Sequence, residues 1–299
     1  MQERMNAMHA IQTENLTKLY GKHRGIDDVT LTVPEGDFFG FIGPNGAGKS
    51  TTIRLCLGLI APTSGSVRIF GKEVREDPTG ILRQVGYLPS ETAFYNGMRV
   101  RELLKLSADL RKLDCREEAE RLCQTLDLDP DRKIDQLSLG NRKKAGIVCA
   151  LQHKPRLYIL DEPTSGLDPL IQREFYRLLQ ERNKEGATVF LSSHVLSEVQ
   201  RYCAHAAIIR EGKLLTTGSV EELGHTGVKR VSLQGVDRVP ALPGVRSGKA
   251  EGNNVSFLYS GDPGQLLNAL AALPVTDVSI SEPDLEEVFL HYYNKEGEV

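Results

Sequence analysis

Residues 38–51 read Phe-Phe-Gly-Phe-Ile-Gly-Pro-Asn-Gly-Ala-Gly-Lys-Ser-Thr. The apolar run Phe38 to Ile42 predicts a buried strand, and the pattern from Thr51 to Leu59 predicts a helix. Between them Gly43, Pro44, Asn45, Gly46, Ala47, Gly48, Lys49, Ser50 and Thr51 match GxxxxGK(S/T) in full, in the strand-to-helix setting a phosphate-binding loop requires. Glycines let the backbone wrap phosphates, and the helix start offers unpaired N–H groups and its positive dipole end to the anion. Lys49 is placed to reach the β and γ phosphates, Ser50 to hold Mg2+ through its hydroxyl, and Thr51 to add a phosphate hydrogen bond.

Further along, Leu157-Tyr158-Ile159-Leu160 predicts a second buried strand, and it delivers Asp161 and Glu162 to its exposed end. Asp161 lies 112 residues after Lys49. A carboxylate pair at that place suits Asp161 to hold Mg2+, directly or through water, and Glu162 to orient and deprotonate an attacking water. Together the two motifs point to nucleoside-triphosphate hydrolysis.

The surrounding chain predicts an α/β fold. Strands are expected at Ile11–Leu16, Val29–Val33, Val67–Phe70 and Thr188–Ser192, with helices at Gln172–Lys184 and Ser197–Cys203. Ala206–Leu215 is expected to be a hairpin turning at Glu211-Gly212. From Arg99 to Leu128 leucines at three- and four-residue spacing among charges predict an inserted helical segment. The first domain is expected to close near Gly224. Residues 225–299 then predict a small ββαβα module, and residues 226–299 carry 6 Lys plus Arg against 10 Asp plus Glu. Its last helix would align Leu285, Val288, Phe289 and Tyr292 on one apolar face.

Composition narrows the class. The 299 residues hold 37 Lys plus Arg and 40 Asp plus Glu, a net charge of −3, so no basic field draws the chain to nucleic acid. Five scattered cysteines form no CxxC pair and read as thiols in a reducing compartment. The polar N-terminus and the lack of any run of about 18 apolar residues predict a cytoplasmic chain whose membrane-spanning partners, if it has them, are separate.

In this order the motifs of residues 9–224 resemble the ATP-binding cassette (ABC) ATPases. Leu137-Ser138-Leu139-Gly140-Asn141 is similar to that family's signature, usually LSGGQ, with Leu139 replacing a glycine and Asn141 a glutamine. Ser165-Gly166-Leu167-Asp168 resembles the D-loop, His194 the switch histidine that contacts the γ phosphate, and Tyr20 the aromatic that stacks on adenine. The family usually has glutamine where this chain has Ser90, followed here by Glu91. Ser90 is too short to span the same distance without a water, which implies slower or differently coupled hydrolysis.

The resemblance implies a P-loop core with an antiparallel β subdomain, a helical subdomain over about residues 92–150, and a small α+β C-terminal domain. It implies ATP and Mg2+ as ligands, Lys49, Glu162 and His194 as catalytic groups, and Ser138 to Asn141 reaching the ATP of a second nucleotide-binding subunit. The implied partners are that subunit, in a homodimer or heterodimer, and separate transmembrane permease subunits that hold the chain at the cytoplasmic face of the membrane. Single-cassette ATPases of bacterial export systems are the expected subgroup. A chromosome ATPase would need long heptads and a basic surface, a ribosome-associated protein two cassettes, and a GTPase an NKxD motif. Asn183-Lys184 and Asn294-Lys295 are both followed by Glu-Gly instead. A cytosolic ATPase switch acting on a soluble protein is the alternative.

Overall fold

Three strands of the first sheet interior are buried along their whole length: β3 (Phe38–Ile42), β7 (Leu157–Asp161) and β8 (Thr188–Ser193). Strands apolar on both faces are stable only as the middle of a parallel sheet covered by helices on each side. The computed structural model, which describes residues 9–21, 23–95, 97–224 and 228–281, places them so. The sheet order is β10-β9-β3-β8-β7-β6, with β6 at Val85–Leu88, β9 at His205–Arg210 and β10 at Lys213–Ser219. Strands β9, β3, β8, β7 and β6 run parallel in a continuous register, Phe41 beside Ser192 and Asp161 beside Ser192. Phe190 packs between Phe39 and Phe41, ring centroids 6.0 and 5.3 Å away. Each such buried ring contributes about 2–3 kcal/mol of transfer free energy.

Helix α1 (Lys49–Cys56) follows β3 across the phosphate-loop turn, and α6 (Pro169–Lys184) and α7 (Leu196–Tyr202) complete the wrapping. Pro169 at the first turn of α6 and Asp168 as its cap, accepting from Leu170 and Ile171 N–H at 3.1 Å each, explain where that helix starts.

A separate antiparallel sheet has the order β2-β1-β4-β5, from β1 (His9–Tyr20), β2 (His23–Pro34), β4 (Ser64–Ile69) and β5 (Lys72–Glu73). Between β5 and β6 lies α2 (Pro78–Arg83), capped by Asp77, and neither α2 nor β6 has a pattern long enough to be read from sequence. The expected helical insertion is α3 (Val100–Arg111), α4 (Arg116–Thr125) and α5 (Leu139–Leu151).

The chain divides into two compact units, Met1–Gly218 and Ser219–Val299. The second holds α8 (Val220–Gly224), α9 (Pro263–Ala271) and an antiparallel sheet of order β12-β13-β11-β14. Its strands are β11 (Lys229–Gln234), β12 (Val245–Glu251), β13 (Asn254–Tyr259) and β14 (Asp277–Ser281). The sequence pattern missed β12, a polar strand with Arg246, Gly248, Lys249 and Glu251 at the sheet edge, where charge discourages further pairing. Val231, Leu233, Val255 and Phe257 face Leu266 and Leu270 of α9 to form this unit's own core. The expected terminal helix with Leu285, Val288, Phe289 and Tyr292 lies outside the described residues.

Candidate functional site

The parallel sheet delivers Gly43, Asp161 and Ser193 to neighbouring positions at its carboxyl edge, the place where open α/β sheets bind ligands. From there the chain enters the phosphate loop. Gly48 has φ +107, outside the range of ordinary L residues, and a Cβ on it would come within 2.7 Å of Ile26 Cγ2 and 3.0 Å of the Gly25 carbonyl. Only glycine fits there. A second close approach sits at Gly43, where a Cβ would lie 2.4 Å from the Ile209 carbonyl. The loop is thus wedged between β9 and β2, and Gly212 N–H donates to the Ala47 carbonyl at 2.9 Å.

Lys49 is buried, and its ammonium donates to the Gly43 and Pro44 carbonyls at 2.5 and 3.2 Å. It stands 3.3 Å from Glu162 Oε1. That contact is an ion pair without hydrogen-bond alignment, so Oε1 remains a buried acceptor with no hydrogen-bond partner. The other oxygen, Oε2, lies 2.6 Å from His194 Nδ1. Glu162 holds φ +49, a left-handed turn immediately after β7 that swings its carboxylate away from the strand axis. Asp161 is held on both oxygens: Ser50 Oγ donates to Oδ2 at 2.7 Å and Ser192 Oγ to Oδ1 at 3.0 Å. Two polar networks thus stand on adjacent residues, Lys49–Glu162–His194 and Ser50–Asp161–Ser192. Together they combine a cation, hydroxyls and two carboxylates, and Glu162 Oε1, though ion-paired to Lys49, has no hydrogen-bond partner.

The other expected residues fall in three further places. Ser138 caps α5, its Oγ accepting from Asn141 N–H at 3.3 Å, and Leu139 beside it is 71% exposed. A Cβ on Gly140 would sit 3.0 Å from the Gly166 carbonyl, so the signature-like and D-loop-like segments of one chain touch. Tyr20 ends β1 half-exposed, its ring crossing Gly25 so closely that a Cβ there would meet Cε2 at 2.8 Å. Ser90 is half-buried just past β6 and Glu91 is exposed.

Comparison with known proteins fits this arrangement. The family model described as "ABC transporter" matches residues 26–165. The chain is 35% identical to the bacitracin transport ATP-binding protein BcrA of Bacillus licheniformis, over 94% of this chain and 96% of that one. It is 31% identical to the Nod factor export ATP-binding protein I of Cupriavidus metallidurans, over 96% and 98%. This chain belongs to the ABC transporter family. Among solved structures, an ATP-binding subunit of an ABC transporter superposes with a TM-score of 0.68 at 33% identity, covering 72% of this chain and 91% of its own. A nucleotide-free ABC transporter cassette gives 0.63 at 26%, covering 72% and 93%.

Like its ABC transporter relatives, the chain is an ATP-binding and ATP-hydrolysing subunit, and the P-loop fold expected from sequence is the one observed. No helix among the described residues is long and apolar enough to cross a membrane. Two participants escaped the sequence reading. Ser192, read only as a strand end, holds Asp161, and its signal was the polar pair Ser192-Ser193 closing an otherwise apolar strand. Lys143, within a basic run, lies buried against the segment that contains Ser90.

Proposed function

We propose that this chain powers export through separate membrane-spanning subunits, two ATP-binding subunits closing head to tail over two ATP molecules. The observation that carries this reading is the pair of adjoining networks at the end of β7, Lys49–Glu162–His194 and Ser50–Asp161–Ser192. Export is supported by the relative named for Nod factor export. In this reading residues 1–224 form the nucleotide-binding part and 225–299 a separate module, and the chain sits at the cytoplasmic face of the membrane through its partners.

The geometry supports the following roles. Gly43 to Thr51 wrap the phosphates, and the Lys49 ammonium exchanges its two carbonyl partners for β and γ phosphate oxygens. Ser50 Oγ and Asp161 Oδ2, 2.7 Å apart, are the hard oxygen donors that Mg2+ takes, so the residues present fit that ion. A Mg2+ ion held by these two residues would supply positive charge to offset the negative charge that develops on the transferring phosphoryl group. Glu162 Oε1, which has no hydrogen-bond partner and is released from its ion pair when Lys49 turns to the phosphates, accepts a proton from the attacking water, while His194 holds Oε2 and fixes the carboxylate's direction. Tyr20 stacks on the adenine. Ser138, Leu139, Gly140 and Asn141, at an exposed helix start, close over the ATP of the facing subunit, with Ser165 to Asp168 alongside.

The test is affinity purification of the Glu162→Gln protein from detergent-solubilised membranes with ATP present. A stoichiometric multi-spanning protein is expected. ATP-driven dimers that bring down only a soluble partner would refute the transport reading and favour the cytosolic switch.

A further inference from the structure

Helix α5 lies along β6 at unusually short range. A Cβ on Gly86 in β6 would come 2.2 Å from the Ala150 carbonyl, and one on Gly146 would meet Thr92 Cγ2 at 2.7 Å and Leu88 Cδ1 at 2.9 Å. Lys143, Gly146 and Ala150 are spaced by three and four residues, so one helix stripe makes these contacts. At its start the stripe carries a charge. Lys143 is only 3% exposed, and its ammonium donates to both the Pro89 and Ser90 carbonyls at 3.0 Å. Those carbonyls directly follow Leu88, which pairs with Leu160 in β7, one residue before Asp161.

Burial holds the Lys143 ammonium below the ordinary lysine range, at about 8, while the Asp161 and Glu162 carboxylates pull the other way. An ammonium is costly to bury unless its donors are satisfied, and here two main-chain carbonyls accept from it. Five residues before it, Ser138 begins the same helix.

We propose that Lys143 is a positioning residue for ATP hydrolysis: its ammonium ties the helix that begins at Ser138 to the Pro89–Ser90 main chain beside the β7 carboxylates. The segment after β6 is thereby held from the helix side, through its backbone, where the short side chain of Ser90 offers no reach of its own. Displacement of either element is thereby passed to the other, which links the helix that begins at Ser138 to the segment beside the Asp161–Glu162 edge. The inference rests on the assignment of the Lys49–Glu162 cluster as the hydrolytic site.

The test compares Lys143→Met, which keeps the apolar stem and removes the donors, with Lys143→Gln, which restores an amide donor, both in the full chain. Turnover, KM for ATP, binding of a fluorescent ATP analogue and thermal midpoint are measured together. The expected result is a drop in kcat of tenfold or more for Lys143→Met, with analogue affinity within threefold and the midpoint within a few degrees of wild type. Lys143→Gln should recover part of that kcat. A kcat within threefold of wild type for Lys143→Met overturns the proposal, and so does loss of affinity and midpoint in parallel with turnover, which would make the contact mere packing. Glu162→Gln run alongside separates the cases, since wild-type turnover in that variant would overturn the site assignment and the Lys143 proposal with it.

Discussion

Glu162→Gln exchanges one carboxylate oxygen for an amide nitrogen and leaves the side-chain shape unchanged. Glu162 Oε2 sits 2.6 Å from His194 Nδ1 and Oε1 3.3 Å from Lys49 Nζ. A glutamine oxygen keeps one of these partners, and its NH2 then faces the other, which is itself a donor when Lys49 is involved. The unusual backbone at φ +49 is shared by both residues, so its strain of about 1–2 kcal/mol cancels in the comparison. What is lost is the base. With the side chain 16% exposed, bulk water cannot readily take over its place, and loss of general-base catalysis costs about 10²–10⁴ in rate, or ~3–5 kcal/mol of barrier. Binding should move the opposite way. Removal of a negative charge next to the site of the triphosphate relieves repulsion and frees Lys49 from its ion pair, so affinity for ATP stays equal or rises. Single-turnover hydrolysis and equilibrium binding of the nucleotide, on the same preparation, read both quantities. Hydrolysis within threefold of wild type refutes Glu162 as the base. A large loss of binding refutes the placement of its carboxylate beside the phosphates.

Lys49→Ala removes the one ammonium that the phosphate loop grips at 2.5 and 3.2 Å, and loss of its charge-assisted bonds should weaken ATP binding by about 10–100-fold, measured by fluorescence titration. Glu118→Ala takes away the carboxylate that Arg121 approaches at 2.7 Å, Lys154 at 3.4 Å and the buried Arg182 closer still, and should cost about 3 kcal/mol in urea unfolding because Arg182 keeps only Glu185 as an acid partner. Burial, with Arg111 adding to it, lowers His153 from 6.5 to about 4, while its Nε2 bonds the Val85 carbonyl at 3.2 Å. The unfolded chain therefore binds the extra proton first, and stability that is complete above pH 6.5 falls by up to about 3 kcal/mol as pH drops toward 4; the slope should flatten in His153→Gln.

The parts of the site legible in sequence are those where the backbone itself constrains residue type. Strands buried on both faces read as near-continuous apolar runs, so β3, β7 and β8 announce themselves, and the residues that end or follow them are the site. Lys143 and Lys144 illustrate the opposite case. Nothing in Asn-Arg-Lys-Lys marks a lysine as buried, yet both are. Their ammonium groups meet carbonyls at the ends of other elements, Pro89 and Ser90 after β6 and Asp127 after α4, the last at 3.2 Å. Carbonyls at such ends have no partner within their own element and must find a donor. Which donor serves them depends on tertiary placement, to which a one-dimensional pattern is blind.

Glycine shows how far a motif can mislead about its own cause. The phosphate loop explains Gly48 by the need to approach an anion closely, and the fold adds a demand the motif does not contain. Gly25 O and Ile26 Cγ2 from β2 occupy the space where its Cβ would stand, and a Cβ on Gly212 from the β9–β10 turn would press on the same Gly25 carbonyl at 3.0 Å. Asp27 N–H donates to the Gly212 carbonyl at 2.7 Å and Gly212 N–H to that of Ala47, closing a ring of main chain behind the loop. Gly25 also carries the Tyr20 ring. A side chain at Gly48 or Gly212 would therefore press the antiparallel sheet away from the loop, and one at Gly25 would displace the Tyr20 ring directly, each moving the aromatic at the end of β1 relative to Lys49. The loop's shape and the reach of Tyr20 are set by one packing constraint, spread over residues 25, 48 and 212, and only the middle one lies inside a recognisable motif.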